Sequence, residues 1–220
     1  MKLLETSASR YDAGMALLSL GSVDRLYRAV AERVPKGSEV VEVGCGTGGV
    51  TQYLVDRCRH VVAIDRSPSM LAIAARKLDG AVRDGRLELR QLNLIALDRA
   101  FANDRFDCVV CCLVLSELSA AEEAYALDQF CRLARPGGTV VVADEAAPQD
   151  RARRLAYHAG RAPLAAITYL LTQTTTHRTV DLAAKLAGRG LVLAHVAGLG
   201  GGTVQLLEGT KPAWPSPASA

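Results

Sequence analysis

Two carboxylates flank a run of glycines in this sequence, and together they have the makings of a binding site. Gly44-Cys45-Gly46-Thr47-Gly48-Gly49 follows the short apolar run Val40-Val41-Glu42-Val43. Glycines let the backbone adopt conformations that other residues resist, and let a ligand approach the main chain. Asp65 closes the next apolar run, His60-Val61-Val62-Ala63-Ile64, about twenty residues on, where an acid can accept hydrogen bonds from ribose hydroxyls. Gly44, Gly46 and Gly49 also satisfy the dinucleotide-binding spacing, so the turn and Asp65 alone do not choose between nucleotide ligands. Glu42 does discriminate. A charge inside a buried strand is costly unless it is paired. Glu42 would repel a pyrophosphate at this turn, whereas a ligand ammonium would satisfy it directly or through water. Glu117, Asp144, Glu145 and His177 are the candidate bases or orienters for a reacting acceptor. Asp144 and Glu145 are neighbours at a strand end, so one of them faces the site.

The elements that must position these groups read as strands alternating with helices. Residues 1–36 hold leading helices, with Met15, Leu18, Val23, Leu26, Val30 and Val34 at near-helical spacing before Pro35. A helix is expected from the glycine turn to about Cys58, and another opens at Ser67-Pro68, a cap followed by proline. Further strands are expected at Leu87–Leu92, Phe106–Leu115 and Thr139–Asp144. A helix from about Ala120 to Arg135 and a turn at Pro136-Gly137-Gly138 precede the last of these. This rhythm predicts a doubly wound α/β fold with a mostly parallel seven-stranded sheet. Residues 146–178 break the rhythm and are expected to form a helical insertion, a lid over the carboxyl ends of the strands. A helix at about 180–189, a strand at Leu191–Ala197, the glycines from 198 to 202 and a strand at Thr203–Leu207 predict a C-terminal antiparallel hairpin. The single domain is expected over 1–210, with 211–220 a disordered tail.

Composition excludes several classes. The chain has 220 residues, of which 50% are hydrophobic, enough to bury a full core, while 5% are aromatic, so Leu, Val and Ala must fill it. A net charge of +3 is too mild to imply nucleic acid, and the densest basic stretch, Arg151, Arg153, Arg154 and Arg161, reads as a solvated helix face. No stretch reaches the roughly 18 apolar residues that span a bilayer. Cys108, Cys111 and Cys112 invite a metal reading, yet Cys108 and Cys111 should point to opposite faces of one strand. No second cysteine pair completes a zinc site, so no metal is expected. Without a disulfide framework or an export signal, the expected compartment is the cytoplasm.

Four segments carry a family resemblance. Val41-Glu42-Val43-Gly44-Cys45-Gly46-Thr47-Gly48 resembles the first motif of the class I S-adenosylmethionine-dependent methyltransferases, and Ala63-Ile64-Asp65-Arg66-Ser67-Pro68-Ser69-Met70-Leu71 resembles their second. Phe106-Asp107-Cys108-Val109-Val110 is similar to the fourth-strand motif, and Leu133-Ala134-Arg135-Pro136-Gly137-Gly138 to the turn before the fifth strand. The resemblance implies S-adenosyl-L-methionine as cofactor, held by Glu42, by the turn from Gly44 and Cys45 through Gly46 and Gly48, and by Asp65 at the ribose. Arg66 and Met70 would lie near the adenine and Leu113 would border the methyl group. Many members place an aspartate after the third strand against the adenine amino group. That place falls here on Asn93, with Leu94 following, and asparagine keeps an acceptor oxygen. Ala165 to Thr176, Ser116-Glu117-Leu118 and Ala143-Asp144-Glu145 are also similar to a subgroup encoded beside corrinoid proteins.

The implied reaction is an in-line displacement, whose main demands are alignment of two reactants and exclusion of water. A base is required only when the acceptor must lose a proton. The expected partner is a small-molecule or cofactor acceptor, with no nucleic acid and no membrane. The competing reading is a non-catalytic cofactor-binding module in an assembly such as a corrinoid-protein system. His158, Tyr157 and Tyr169 complete the candidates within the expected insertion.

Overall fold

The computed structural model describes residues 22–145, 179–199 and 204–213. The expected insertion, with Tyr157, His158, Tyr169 and His177, lies outside the described residues, as does the leading segment before Ser22.

Helix α1 (Ser22–Glu32) comes first and strand β1 (Glu39–Val43) follows. After the glycine turn come α2 (Thr51–Leu54), β2 (His60–Asp65), α3 (Pro68–Lys77), α4 (Asp79–Arg83) and β3 (Leu87–Gln91). A 3-10 turn at Leu94–Ala96 leads into α5 (Leu97–Ala100) and β4 (Phe106–Cys112). A second 3-10 turn at Leu115–Glu117 precedes α6 (Ala120–Leu133) and β5 (Ala134–Glu145). The chain ends its described part with α7 (Leu182–Ala187), β6 (Val192–Leu199) and β7 (Val204–Thr210).

The seven strands lie in the order β3-β2-β1-β4-β5-β7-β6. β1 pairs in parallel with both β2 and β4, so the chain reverses its direction of travel across the sheet between β1 and β4. Crevices at such a reversal, beyond the carboxyl ends of the strands, are where ligands bind in open α/β sheets. β7 runs antiparallel to β5 on one side and to β6 on the other, which makes it the one antiparallel strand.

Period-two alternation divides the strand residues between two cores. Val40, Cys108, Val110, Val141 and Ala143 face one layer with Leu26, Val30 and Leu54. Val41, Val43, Val109, Cys111, Val140 and Val142 face the other with Phe106, Phe130 and Leu182. Cys108 and Cys111 therefore do point opposite ways. Burial pushes both thiols, and that of Cys112, well above their usual range.

Local chemistry accounts for the helix starts nearest the site. Ser67 Oγ accepts from the Met70 amide at 3.4 Å, with Pro68 in the first turn, as its sequence predicts. Ser119 and Glu122 form a reciprocal capping box at the start of α6.

Several boundaries differ from the sequence expectation, among them the end of β4 at Cys112 rather than Leu115 and of β7 at Thr210 rather than Leu207, and three have a clear local account. The helix after the glycine turn stops at Leu54 rather than Cys58, because the amides of Arg57 and Cys58 converge on the Leu54 carbonyl. β5 begins at Ala134, and the expected Pro136-Gly137-Gly138 turn is a bulge inside it: Phe106 pairs with Ala134 but Cys108 already pairs with Thr139. The tail expected to be disordered from residue 211 begins instead with an anchored lysine. Lys211 Nζ donates to the Cys131 and Ala134 carbonyls, each at 2.9 Å, and to Asp104 Oδ1 at 2.6 Å.

Candidate cofactor and acceptor site

The glycine turn is held by the strand beside it. The amides of Gly44 and Cys45 both donate to the Ile64 carbonyl, at 2.8 and 2.9 Å. Gly44 has φ +77°, and a Cβ there would lie 2.3 Å from Val114 Cγ2, so only glycine lets the turn meet the segment leaving β4. Gly46, at φ +53°, is the opposite case: a Cβ would meet nothing within 4 Å, and its main chain faces open space. Cys45 serves the turn through its main chain. Its side chain is buried in the core, and only its backbone belongs to the turn.

Asp65 joins the two loops. Its Oδ2 accepts from the Gly46 amide and its Oδ1 from the Ser67 amide, both at 2.8 Å. The carboxylate thus shapes the loops after β1 and β2 at once, and each oxygen keeps a lone pair for a hydroxyl. Glu42 is 2% exposed in the floor below, where Oε2 accepts from Thr51 Oγ1 at 2.6 Å. Burial pushes its carboxyl up to about 8; the Thr51 hydrogen bond opposes that rise and the nearby Asp65 charge adds to it. Thr51 had not been singled out in the sequence. Its only signal there is a hydroxyl at the start of the helix that follows the glycines.

The segment leaving β4 forms the facing wall. Leu113 has φ +58°, a left-handed conformation uncommon for a branched residue, and its amide donates to the Ala143 carbonyl at 2.8 Å. Val114 then covers Gly44, and the turn Leu115–Glu117 brings Glu117 toward β2. Glu117 Oε2 lies 3.9 Å from Arg66 Nη2. Burial raises its carboxyl, Arg66 opposes the rise, and Asp144 and Asp65 reinforce it.

Of the neighbouring acids that end β5, Asp144 turns inward with 0% exposure, and Glu145 is half-buried. Asp144 Oδ2 accepts from the Leu115 amide at 2.6 Å and Oδ1 from the Glu145 amide at 2.7 Å, and Ser116 bonds it through both hydroxyl and amide. The Glu145 carbonyl accepts from Thr179 at 2.7 Å. Asn93 is exposed after β3, with Oδ1 accepting from the Ile95 amide at 3.2 Å, and half-buried Leu94 packs on the second core. Met70 is half-buried at the start of α3. Glu42, the glycine turn, Asp65, Arg66, Leu113 and Glu117 thus gather at the carboxyl ends of β1, β2 and β4. Among the described residues no group of three His, Cys, Asp or Glu side chains could hold a metal ion.

The site suits a nucleoside with a charged amino-acid arm. A Gly46 with open space where a side chain would stand, an acid that ends β2 and a buried acid held by Thr51 all lie at the carboxyl ends of adjacent strands. A methyltransferase-domain model matches residues 40–138. The demethylmenaquinone methyltransferase of Thermus thermophilus is 33% identical over 156 residues, 68% of this chain and 67% of that one. That of Clavibacter sepedonicus is 32% identical over 149 residues, 66% of this chain and 58% of the relative. The chain belongs to the class I S-adenosylmethionine-dependent methyltransferases, and S-adenosylmethionine is the cofactor this family implies. It spans 58% to 67% of the length of these two relatives.

Solved structures agree on the fold. An O-methyltransferase family protein from Burkholderia thailandensis has a TM-score of 0.69 at 20% identity, covering 94% of this chain and 60% of its own. The [4+2]-cyclase SpnF has a TM-score of 0.67 at 18% identity, covering 87% of this chain and 82% of its own. A fold shared with a cyclase does not fix the reaction, which must be argued from the site. No helix among the described residues is long and apolar enough to cross a membrane.

Proposed function

We propose that this chain transfers the methyl group of S-adenosylmethionine to a hydroxylated aromatic ring of the quinol class. The observation that carries the cofactor half is the pairing of Asp65 with the Gly46 amide, together with the buried Glu42 carboxyl that feels the Asp65 charge. The acceptor half is supported by the relatives, named demethylmenaquinone methyltransferases and, in Pseudomonas fluorescens, a ubiquinone/menaquinone biosynthesis C-methyltransferase at 29% identity over 164 residues. The bound cofactor supplies an electrophilic methyl on a sulfonium. Glu42 receives the ammonium, Asp65 and the turn at Gly44, Cys45, Gly46 and Gly48 receive the ribose and methionine arm, and Arg66, Met70, Asn93 and Leu94 border the adenine. Leu113 and Val114 close the wall beside the reacting carbon and exclude water.

Glu117 is the base this reading assigns. With the methyl passing to the ring carbon and the electron pair of the broken bond staying on sulfur, Glu117 would take the ring hydroxyl proton, and loss of the ring hydrogen with return of a proton to the oxygen would restore the aromatic ring. Glu117 is exposed, and partial desolvation raises its carboxyl, the direction a base needs. Glu145 is a second candidate, and His177 belongs to the segment outside the described residues. The relatives named as enzymes favour turnover over a non-catalytic module beside a corrinoid protein.

Calorimetry with S-adenosylmethionine tests the cofactor reading, and mass spectrometry of 1,4-naphthalenediol incubated with protein and cofactor tests the acceptor. Binding together with a mass gain of one methylene is the expected result. A folded protein that shows no heat of binding at millimolar cofactor would overturn it.

A further inference from the structure

Asp144 ends β5 at the acceptor side of the crevice, and its carboxylate touches no solvent. A buried carboxylate needs several donors, and every one identified here is protein: the Leu115 amide at 2.6 Å, the Glu145 amide at 2.7 Å, and the amide and hydroxyl of Ser116. Three of those four donors belong to the turn Leu115–Glu117. That turn follows Val114, which gives it no side-chain cap, and begins two residues after left-handed Leu113. Without Asp144, the amides of Leu115 and Ser116 would lose an acceptor in a buried place. With it, the turn is pinned to the end of a central strand, and Glu117 is carried out over the crevice to within 3.9 Å of Arg66.

We propose that Asp144 is a positioning residue for the methyl-transfer reaction. It does not remove the acceptor's proton. It fixes the turn after β4 so that Glu117 stands opposite Arg66 at the acceptor end of the cofactor crevice. This rests on the reading of Glu117 as the base. The charged groups facing Glu117 are Arg66 and Asp65 from the loop after β2 and Asp144 from β5. Asp144 therefore acts on Glu117 both through the turn and through its charge, which makes Glu117 hold its proton to higher pH.

Carboxyl-detected NMR titration of Glu117 in the cofactor-free protein tests this without any acceptor. Asp144→Asn keeps the shape and removes the charge. The titration midpoint of Glu117 should fall, and amide hydrogen exchange at Leu115 and Ser116 should speed up by at least about tenfold. With 1,4-naphthalenediol as acceptor, the Asp144→Asn change should slow turnover while the dissociation constant for S-adenosylmethionine stays within about threefold. In a Glu117→Gln background it should cost nothing further. An unmoved Glu117 midpoint, or losses that add in the double variant, would overturn the proposal. Should Asp144→Asn fail to fold, Ser116→Ala removes one donor and keeps the charge; it must loosen the Leu115 amide, and an unchanged exchange rate counts against the proposal. If the wild-type protein leaves the diol untouched, the acceptor reading fails, while the titration still decides the part played by Asp144.

Discussion

Thr51 Oγ1 lies 2.6 Å from Glu42 Oε2, so the helix that follows the glycine turn donates to an acid in the floor of the crevice. The Thr51 hydroxyl and amide together do not offset burial, and the Glu42 carboxyl rises from its ordinary 4.5 to about 8. Because the folded-state value is raised, the protonated form is the one the fold favours. Its contribution to stability is complete below about 4.5 and is lost as pH rises through about 8. Urea unfolding of the cofactor-free protein should therefore show stability falling by a few kcal/mol across that window. Glu42→Gln should flatten the profile, and a wild-type profile that climbs from pH 5 to 8 would contradict the assignment.

Cofactor binding should be linked to the same proton. At pH 7 the free protein holds Glu42 mostly protonated, and an ammonium placed beside it draws the proton off. Calorimetry in phosphate and in Tris should report net proton release, with affinity rising between about pH 6 and 8 and levelling above. Glu42→Gln should abolish the release and weaken binding. Net proton uptake would rule the idea out.

Asp65→Ala removes the acceptor for the Gly46 and Ser67 amides together with the ribose contact proposed for it. Charge-assisted hydrogen bonds of this kind contribute about 1.5–3 kcal/mol each, so cofactor affinity should fall by at least about tenfold. Asp65→Asn, which keeps one acceptor oxygen, should fall between the two. Equal affinities for all three proteins in calorimetry would disprove the role given to Asp65.

Gly44→Ala should destabilise the fold itself by about 2–4 kcal/mol, since it adds a Cβ at a positive φ and drives it into Val114. The second variant Val114→Ala opens the space, so the pair Gly44→Ala/Val114→Ala should recover part of the loss and leave the backbone strain. Thermal unfolding of the four proteins gives the comparison, and strict additivity would show that the contact does not matter.

The thiols should be quiet. Cys45, Cys58, Cys108, Cys111 and Cys112 are buried, and burial raises every one of them. Ellman's reagent at pH 8 should leave these five unlabelled in the native protein and modify all six after denaturation. Rapid native labelling at Cys108 or Cys111 would contradict the sheet assignment.

Much of the sheet was legible because buried parallel strands read as apolar runs, and β1, β2, β4 and β5 all have them. The antiparallel partner of β6 was legible from the glycines before Val204. The glycine turn and Asp65 were legible because backbone geometry and a ligand's hydroxyls restrict residue type. The inward turn of Asp144 was not, since alternation says only that Asp144 and Glu145 differ, and the pairing of Ala143 with Cys112 and Leu206 decides which one enters. The core side chain of Cys45 was not legible either, since the spacing of a glycine turn speaks only for its backbone. The parts Thr51 and Ser116 play as donors to Glu42 and Asp144 were not legible, because a hydroxyl donor is defined by what stands opposite it in space.

The position of β7 has a kinetic corollary. It is the last described strand in the chain, yet it sits between β5 and β6. As a nascent chain emerges, β5 must wait with an open hydrogen-bonding edge, and β6 has no partner until residues 204–210 arrive. Such an edge is a template for pairing with other chains. Folding intermediates that lack the last hairpin arm should therefore be the species that aggregate, and conditions that slow synthesis or refolding past β6 should lower the yield of native protein.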